Sequence, residues 1–173
     1  MTADRLAPAA EGPGAAGRAD SAPAAGGPDV AAQPRVFVYH RGISFGDCDP
    51  AGIAFYPNFY RWFDEAVHAL MIEIGWGWRR TAQEFGWLGL PSAEASARFL
   101  RPVTHGQSIR VETRVVRFEP RRIVFAHRVL RDEVLLCEGE EKRFVGVPHP
   151  DDPERVRAID APPALQRALT APK

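Results

Sequence analysis

The chain has 173 residues, with 22 Lys+Arg against 22 Asp+Glu and a formal net charge of zero, so no long-range field draws it to nucleic acid or a membrane surface. Its length suits one compact domain, and no apolar stretch approaches the roughly 20 residues a membrane-spanning helix needs. Two cysteines, Cys48 and Cys137, are too few and too far apart for a zinc cluster or a disulfide framework, which fits a reducing, cytoplasmic setting.

Residues 1–34 hold twelve Ala, five Gly and five Pro, leaving little that can build a core, and read as a disordered leader. Pro8, Glu11 and Pro13 interrupt the place where a secretory signal would need a continuous apolar run. From Arg35 to Phe45, Val36, Val38 and His40 alternate with Phe37 and Tyr39, the pattern of a strand. A turn-forming run, Gly46-Asp47-Cys48-Asp49-Pro50-Ala51-Gly52, follows.

Phe59, Phe63, Val67, Leu70 and Ile74 then recur at helical spacing. Pro57 suits the first helical turn and Gly75 the stop, which predicts a rod of roughly 26 Å. Trp62, Ala66, Ala69 and Ile72 widen the apolar stripe, so the helix is expected to be covered on most sides by a curved sheet. A Trp- and Gly-rich connector spans Gly75 to Pro91.

Strands are predicted over 92–101, 107–118, 121–131 and 133–147. In the second, Ile109, Val111, Thr113 and Val115 alternate with Arg110, Glu112 and Arg114. The chain beyond Ile159 is expected to be loose. The domain plan is therefore a leader (1–34), an α+β domain (35–162) and a C-terminal tail (163–173). A long helix against about five antiparallel strands leaves one sheet face open, which points to self-association.

The twenty residues from Phe45 to Asp64, FGDCDPAGIAFYPNFYRWFD, closely resemble the hot-dog-fold 4-hydroxybenzoyl-CoA thioesterases, in the type whose catalytic carboxylate lies in this Asp-Pro turn. The resemblance extends over about residues 36–162. It implies a long central helix wrapped by a curved antiparallel sheet, hydrolysis of an aryl thioester of coenzyme A, and assembly into homodimers or homotetramers. No metal or redox cofactor is implied, CoA entering as part of the substrate.

By this resemblance Asp49 is the catalytic carboxylate, acting as nucleophile on the acyl carbon or as base toward water. The backbone N–H of Tyr56, at the start of the helix, receives the thioester oxygen where free amides and the positive end of the helix dipole converge. Asp64 accepts the 4-hydroxyl of the substrate ring. From local geometry alone Asp64 reads equally as the partner of Arg61 or His68. Trp78 falls by the acyl pocket, and Leu90 stands where the family has a substrate-side threonine.

Arg121 and Arg122 match the cluster used for the CoA phosphates, with Pro120 or Ile123 at a third, normally basic position. Arg157 matches a residue associated with the 3′-phosphate. Asp47 reads as structural, Glu73 as solvated and His68 as a pairing residue. Two other outcomes fit the same residues: a thioesterase for another acyl group, benzoyl, short-chain or carrier-protein-bound, and a non-catalytic acyl-CoA-binding hot-dog module.

Overall fold

The computed structural model describes residues 35–172; the leader over 1–34 lies outside them, as does Lys173. Strand β1 (Phe37–Gly42) leads through a 3-10 turn at Phe45–Asp47 into helix α1 (Pro57–Glu73). A short helix, α2 (Trp78–Phe85), follows. Strands β2 (Ser92–Phe99), β3 (Ser108–Glu119), β4 (Arg122–Arg131) and β5 (Val134–Arg143) come next. The chain closes with strands β6 (Val145–His149) and β7 (Asp152–Ile159) and helix α3 (Pro163–Thr170).

The main sheet has the order β1-β3-β4-β5-β2 and every pairing in it is antiparallel. It wraps α1, which buries Phe59, Trp62, Phe63, Ala66, Val67, Leu70 and Met71. Phe59, Trp62 and Phe63 pack with Ile109, Val111, Val129 and Leu136, while Val67, Leu70 and Met71 pack with Phe37, Val115 and Phe125. The expected cover on most sides of α1 is incomplete: Ile72 is 69% exposed, because the sheet curves over one arc of the helix and the opposite arc looks outward.

Three segments depart from the sequence reading. The 75–91 connector contains α2, a helix of only eight residues; its neighbours Trp76 and Trp87 stack 5.6 Å apart, and Phe85 stacks 5.4 Å from Trp76. The predicted last strand breaks into β5 and β6, the latter pairing with β7 in a separate two-stranded sheet. The loose chain expected after Ile159 forms α3, whose Leu165 and Leu169 are buried in the core beside Val67 and Leu70. An isolated helix of this length is marginal in water, so this docking is what holds it.

The far face of the sheet carries paired charges. Arg128 and Arg110 both reach Glu112, Arg98 reaches Glu138 at 2.6 Å, and Arg117 reaches Glu140 at 3.3 Å. A face so clothed is stable in water and does not itself demand a covering layer.

At Gly139 on β5 the sheet approaches the helix closely. A Cβ there would stand 2.5 Å from Phe63 Cε2 and 2.7 Å from the Ser96 carbonyl oxygen. Phe63 cannot retreat, being fully buried and stacked 4.4 Å from His127. Gly139→Ala is expected to lower stability by about 2 kcal/mol, read as a drop of several degrees in Tm. An unchanged melting curve would show that α1 slides freely on the sheet.

Candidate active site

The turn before α1 is tightly tied. Asp49 N–H donates to the Ile53 carbonyl (2.9 Å), Gly52 N–H to the Asp49 carbonyl (2.9 Å), and Ala51 N–H to Asp49 Oδ1 (2.8 Å). Gly52 closes the bend at φ +76°, where a side chain is disfavoured. The Asx turn that Asp before Pro usually forms is thus present. It holds one carboxylate oxygen of half-buried Asp49 while the other accepts no hydrogen bond among the described residues.

The turn is clamped to the helix start through Asp47. The Asp47 carbonyl accepts Phe55 N–H (2.9 Å) and the Asn58 side-chain amide (2.8 Å). Its carboxylate is 2% exposed and accepts Ser44 N–H (2.9 Å), the Ser44 hydroxyl (2.7 Å), Arg41 (3.2 Å) and Arg61. Burial alone would raise this carboxyl, but the two Ser44 hydrogen bonds and the guanidinium groups outweigh it and hold it at about 2. Asp47 is a structural carboxylate, as its sequence context indicates.

Tyr56 caps α1 ahead of Pro57, and its backbone N–H meets no acceptor among the described residues. Beside it opens an apolar groove of about 390 Å³, walled by Ile53 and Ala54 of the turn, Tyr56 and Phe59 of the helix, and Phe99 and Val103 opposite. Asp49 is not part of that wall.

Asp64 sits two turns further along α1. Its Oδ1 accepts Arg143 Nη1 at 2.7 Å and its Oδ2 lies 3.3 Å from His68 Nδ1. The His68 hydrogen bond and then Arg143 hold the Asp64 carboxyl at about 2 against partial burial, and Asp64 in turn raises the His68 imidazole. Of the two helical partners considered from sequence, His68 is engaged; Arg61 turns to Asp47 and Glu65 instead. His68, Trp78 and Leu90 line one narrow cleft with Trp76, Trp87 and Met71. Trp78 and Leu90 share this cleft, whereas Asp64 does not line it and is tied to it through His68 and through Arg143, which also holds the Leu90 carbonyl; the apolar groove at Tyr56 contains none of the three.

Arg121 and Arg122 stand at the β3–β4 turn, where Arg121 adopts φ +54°. Arg121 N–H donates to Asp160 Oδ1, tying this turn to the end of β7, and Arg122 lies over the Phe144 ring at 5.2 Å. A surface cleft of about 370 Å³ joins Arg121, Arg122, Lys142 and Ala158. Arg157, beside Ala158 on β7, pairs in register with Val147. Lys142, bound to Glu94 at 2.8 Å, adds a cation at this cleft that the sequence reading passed over.

Two further residues were missed. Glu141 and Arg143 are 3% exposed each, on the inward face of β5 with Cys137 and Gly139. Their i, i+2 spacing was the available signal, but paired charges in a strand ordinarily mark its solvent side.

This long helix in a curved five-stranded sheet, entered through an Asp-Pro turn, is the hot-dog arrangement of a thioester hydrolase. Residues 43–169 match the thioesterase-like superfamily. Over 134 residues the chain is 34% identical to 4-hydroxybenzoyl-CoA thioesterase of Pseudomonas sp. (strain CBS-3), covering 74% of this chain and 93% of that one. A crystal structure of 4-hydroxybenzoyl-CoA thioesterase, an Asp-to-Asn mutant in complex with 4-hydroxybenzoyl-CoA, superposes with a TM-score of 0.73 at 31% identity, over 79% of this chain and 99% of that one. A gentisyl-coenzyme A thioesterase superposes at 0.64 and 29%, over 76% and 98%. The chain belongs to the thioesterase-like superfamily and, within it, to the 4-hydroxybenzoyl-CoA thioesterase family, whose members are acyl-CoA thioester hydrolases. No helix among the described residues is long and apolar enough to cross a membrane.

Proposed function

We propose that the protein hydrolyses a ring-hydroxylated aryl-CoA, 4-hydroxybenzoyl-CoA fitting best, to the free acid and coenzyme A. The observation that carries this reading is the Asp-Pro turn clamped onto an unpaired helix-start amide. With Oδ1 of Asp49 anchored by Ala51 N–H, the other oxygen is free to attack the acyl carbon, forming an anhydride and releasing the CoA thiolate, or to deprotonate an attacking water. The oxyanion forms at Tyr56 N–H, where one aimed donor is worth about 10²- to 10³-fold in rate.

At the ring end Asp64 accepts the 4-hydroxyl, with Trp78 and Leu90 alongside, and Arg121, Arg122 and Arg157 take the CoA phosphates through charge-assisted hydrogen bonds. We place the enzyme in the reducing cytoplasm, consistent with its two free cysteines. We read it as a homodimer or homotetramer, in which a second copy covers the exposed Phe45, Tyr56 and Phe99 and joins the two halves of the site.

Thiol release from a panel of aryl, arylacetyl and aliphatic CoA esters tests the substrate class directly; binding without turnover across the panel would defeat the enzyme reading. Wild type is expected to favour 4-hydroxybenzoyl-CoA over benzoyl-CoA by about 10²-fold or more, because a site built to bond a hydroxyl rejects the analogue lacking it. Asp64→Ala removes that preference. Equal wild-type rates on the two esters would remove the role assigned to Asp64.

A further inference from the structure

Every guanidinium nitrogen of Arg143 is engaged. Nε and Nη2 reach both oxygens of Glu141 at 2.9–3.0 Å, and Nη1 divides between Asp64 Oδ1 at 2.7 Å and the Leu90 carbonyl at 3.2 Å. Arg143 is 3% exposed and all three of its nitrogens are held by protein groups, so it is not itself a binding group.

The two groups held by Nη1 come from different elements, α1 and the loop before β2, and both belong to the ring pocket as read above. A planar fork fixed on one edge by a bidentate carboxylate sets the distance and angle between the groups on its other edge, which a single ammonium cannot do. Glu141 lies buried beside His127, its Oε2 3.2 Å from His127 Nε2 without a well-aligned hydrogen bond. His127 is fully buried, with Nδ1 2.9 Å from the Thr113 hydroxyl and its ring stacked on Phe63, next to Asp64 in the chain. One oxygen of Asp64 is thereby pinned toward the interior, while its side chain stays 47% exposed.

We infer that Arg143, seated on Glu141, is a positioning residue for substrate discrimination: it holds the Asp64 carboxylate and the Leu90 carbonyl in the one relation that admits a ring hydroxyl. The inference rests on the reading of Asp64 as the hydroxyl acceptor.

The test compares kcat/KM for 4-hydroxybenzoyl-CoA and benzoyl-CoA in wild type, Arg143→Lys, Glu141→Gln and Asp64→Ala, with a thermal melt for each. Arg143→Lys keeps the charge and loses the fork. It is expected to lower the hydroxybenzoyl-to-benzoyl ratio about tenfold, the weight of one misaligned hydrogen bond to a charged group, while a purely structural loss scales both esters alike and leaves the ratio where it was. An unchanged ratio in folded Arg143→Lys overturns the inference. If that variant does not fold, Glu141→Gln decides in its place, a lowered ratio supporting the inference and an unchanged one overturning it. A wild type without preference defeats the Asp64 reading and this inference together. A wild-type preference that Asp64→Ala abolishes and Arg143→Lys retains defeats this inference alone.

Discussion

Asp49→Asn is expected to fold, to bind CoA esters and to lose turnover by about 10³-fold or more, the scale on which removing a reacting group from an enzyme is felt. Asparagine retains a side-chain oxygen, so the 2.8 Å bond from Ala51 N–H survives and the turn keeps its shape. What disappears is the anionic oxygen, and with it both the attack on the acyl carbon and the deprotonation of water. The two routes run through the same atom, so the variant is impaired under either. Thiol release under saturating ester, beside a circular dichroism spectrum matching wild type, checks the result. Activity within tenfold of wild type would move the chemistry to another residue.

Asp47→Ala acts by a different physical route and is expected to lower stability by about 3 kcal/mol at neutral pH. Its carboxylate is buried and ionised, with donors from Ser44, Arg41 and Arg61 around it, and removing it strands Arg41 and Ser44 without their acceptor. The pH dependence follows from the sign of its shift. The folded carboxyl titrates at about 2, below its ordinary 3.8, so its contribution is full above the unfolded value and is lost as pH falls through the folded one. Urea unfolding at pH 7 and near pH 2.5 is the measurement: the gap between wild type and Asp47→Ala narrows on acidification. A gap that is small at pH 7, or equal at both, would show that the cluster contributes little. Activity falls as well, since the Ser44 and Arg61 bonds to the Asp47 side chain hold in place the carbonyl that accepts Phe55 N–H and the Asn58 amide and so fixes the turn against α1.

Periodic apolar spacing made α1 legible to within two residues, and β3 and β4 to within one or two at each end, because burial on one face repeats at the element's own period. It failed where length was short or partners remote. Helices α2 and α3 have eight residues each, too few for a period to rise above the background, and are held by aromatic stacking and by docking into the core. The separation of β6 from β5 follows from pairing with β7, a choice made between segments.

Among the candidate site residues, the Asp49 turn was readable because it is local: Asp, Pro and Gly within four positions dictate their own backbone. Its bearing on function came from the twenty-residue resemblance, not from that local geometry.

The amino-acid order by itself determined a long amphipathic helix followed by alternating strands, an Asp-Pro-Ala-Gly bend ahead of that helix, and the absence of a net charge. Only the tertiary structure decided that Asp64 answers to Arg143, 79 positions away, and that Arg143 and Glu141 lie in the interior. The physical reason is desolvation. A charge enters a core only when a partner meets it there, and whether the partner arrives depends on how the sheet closes over the helix.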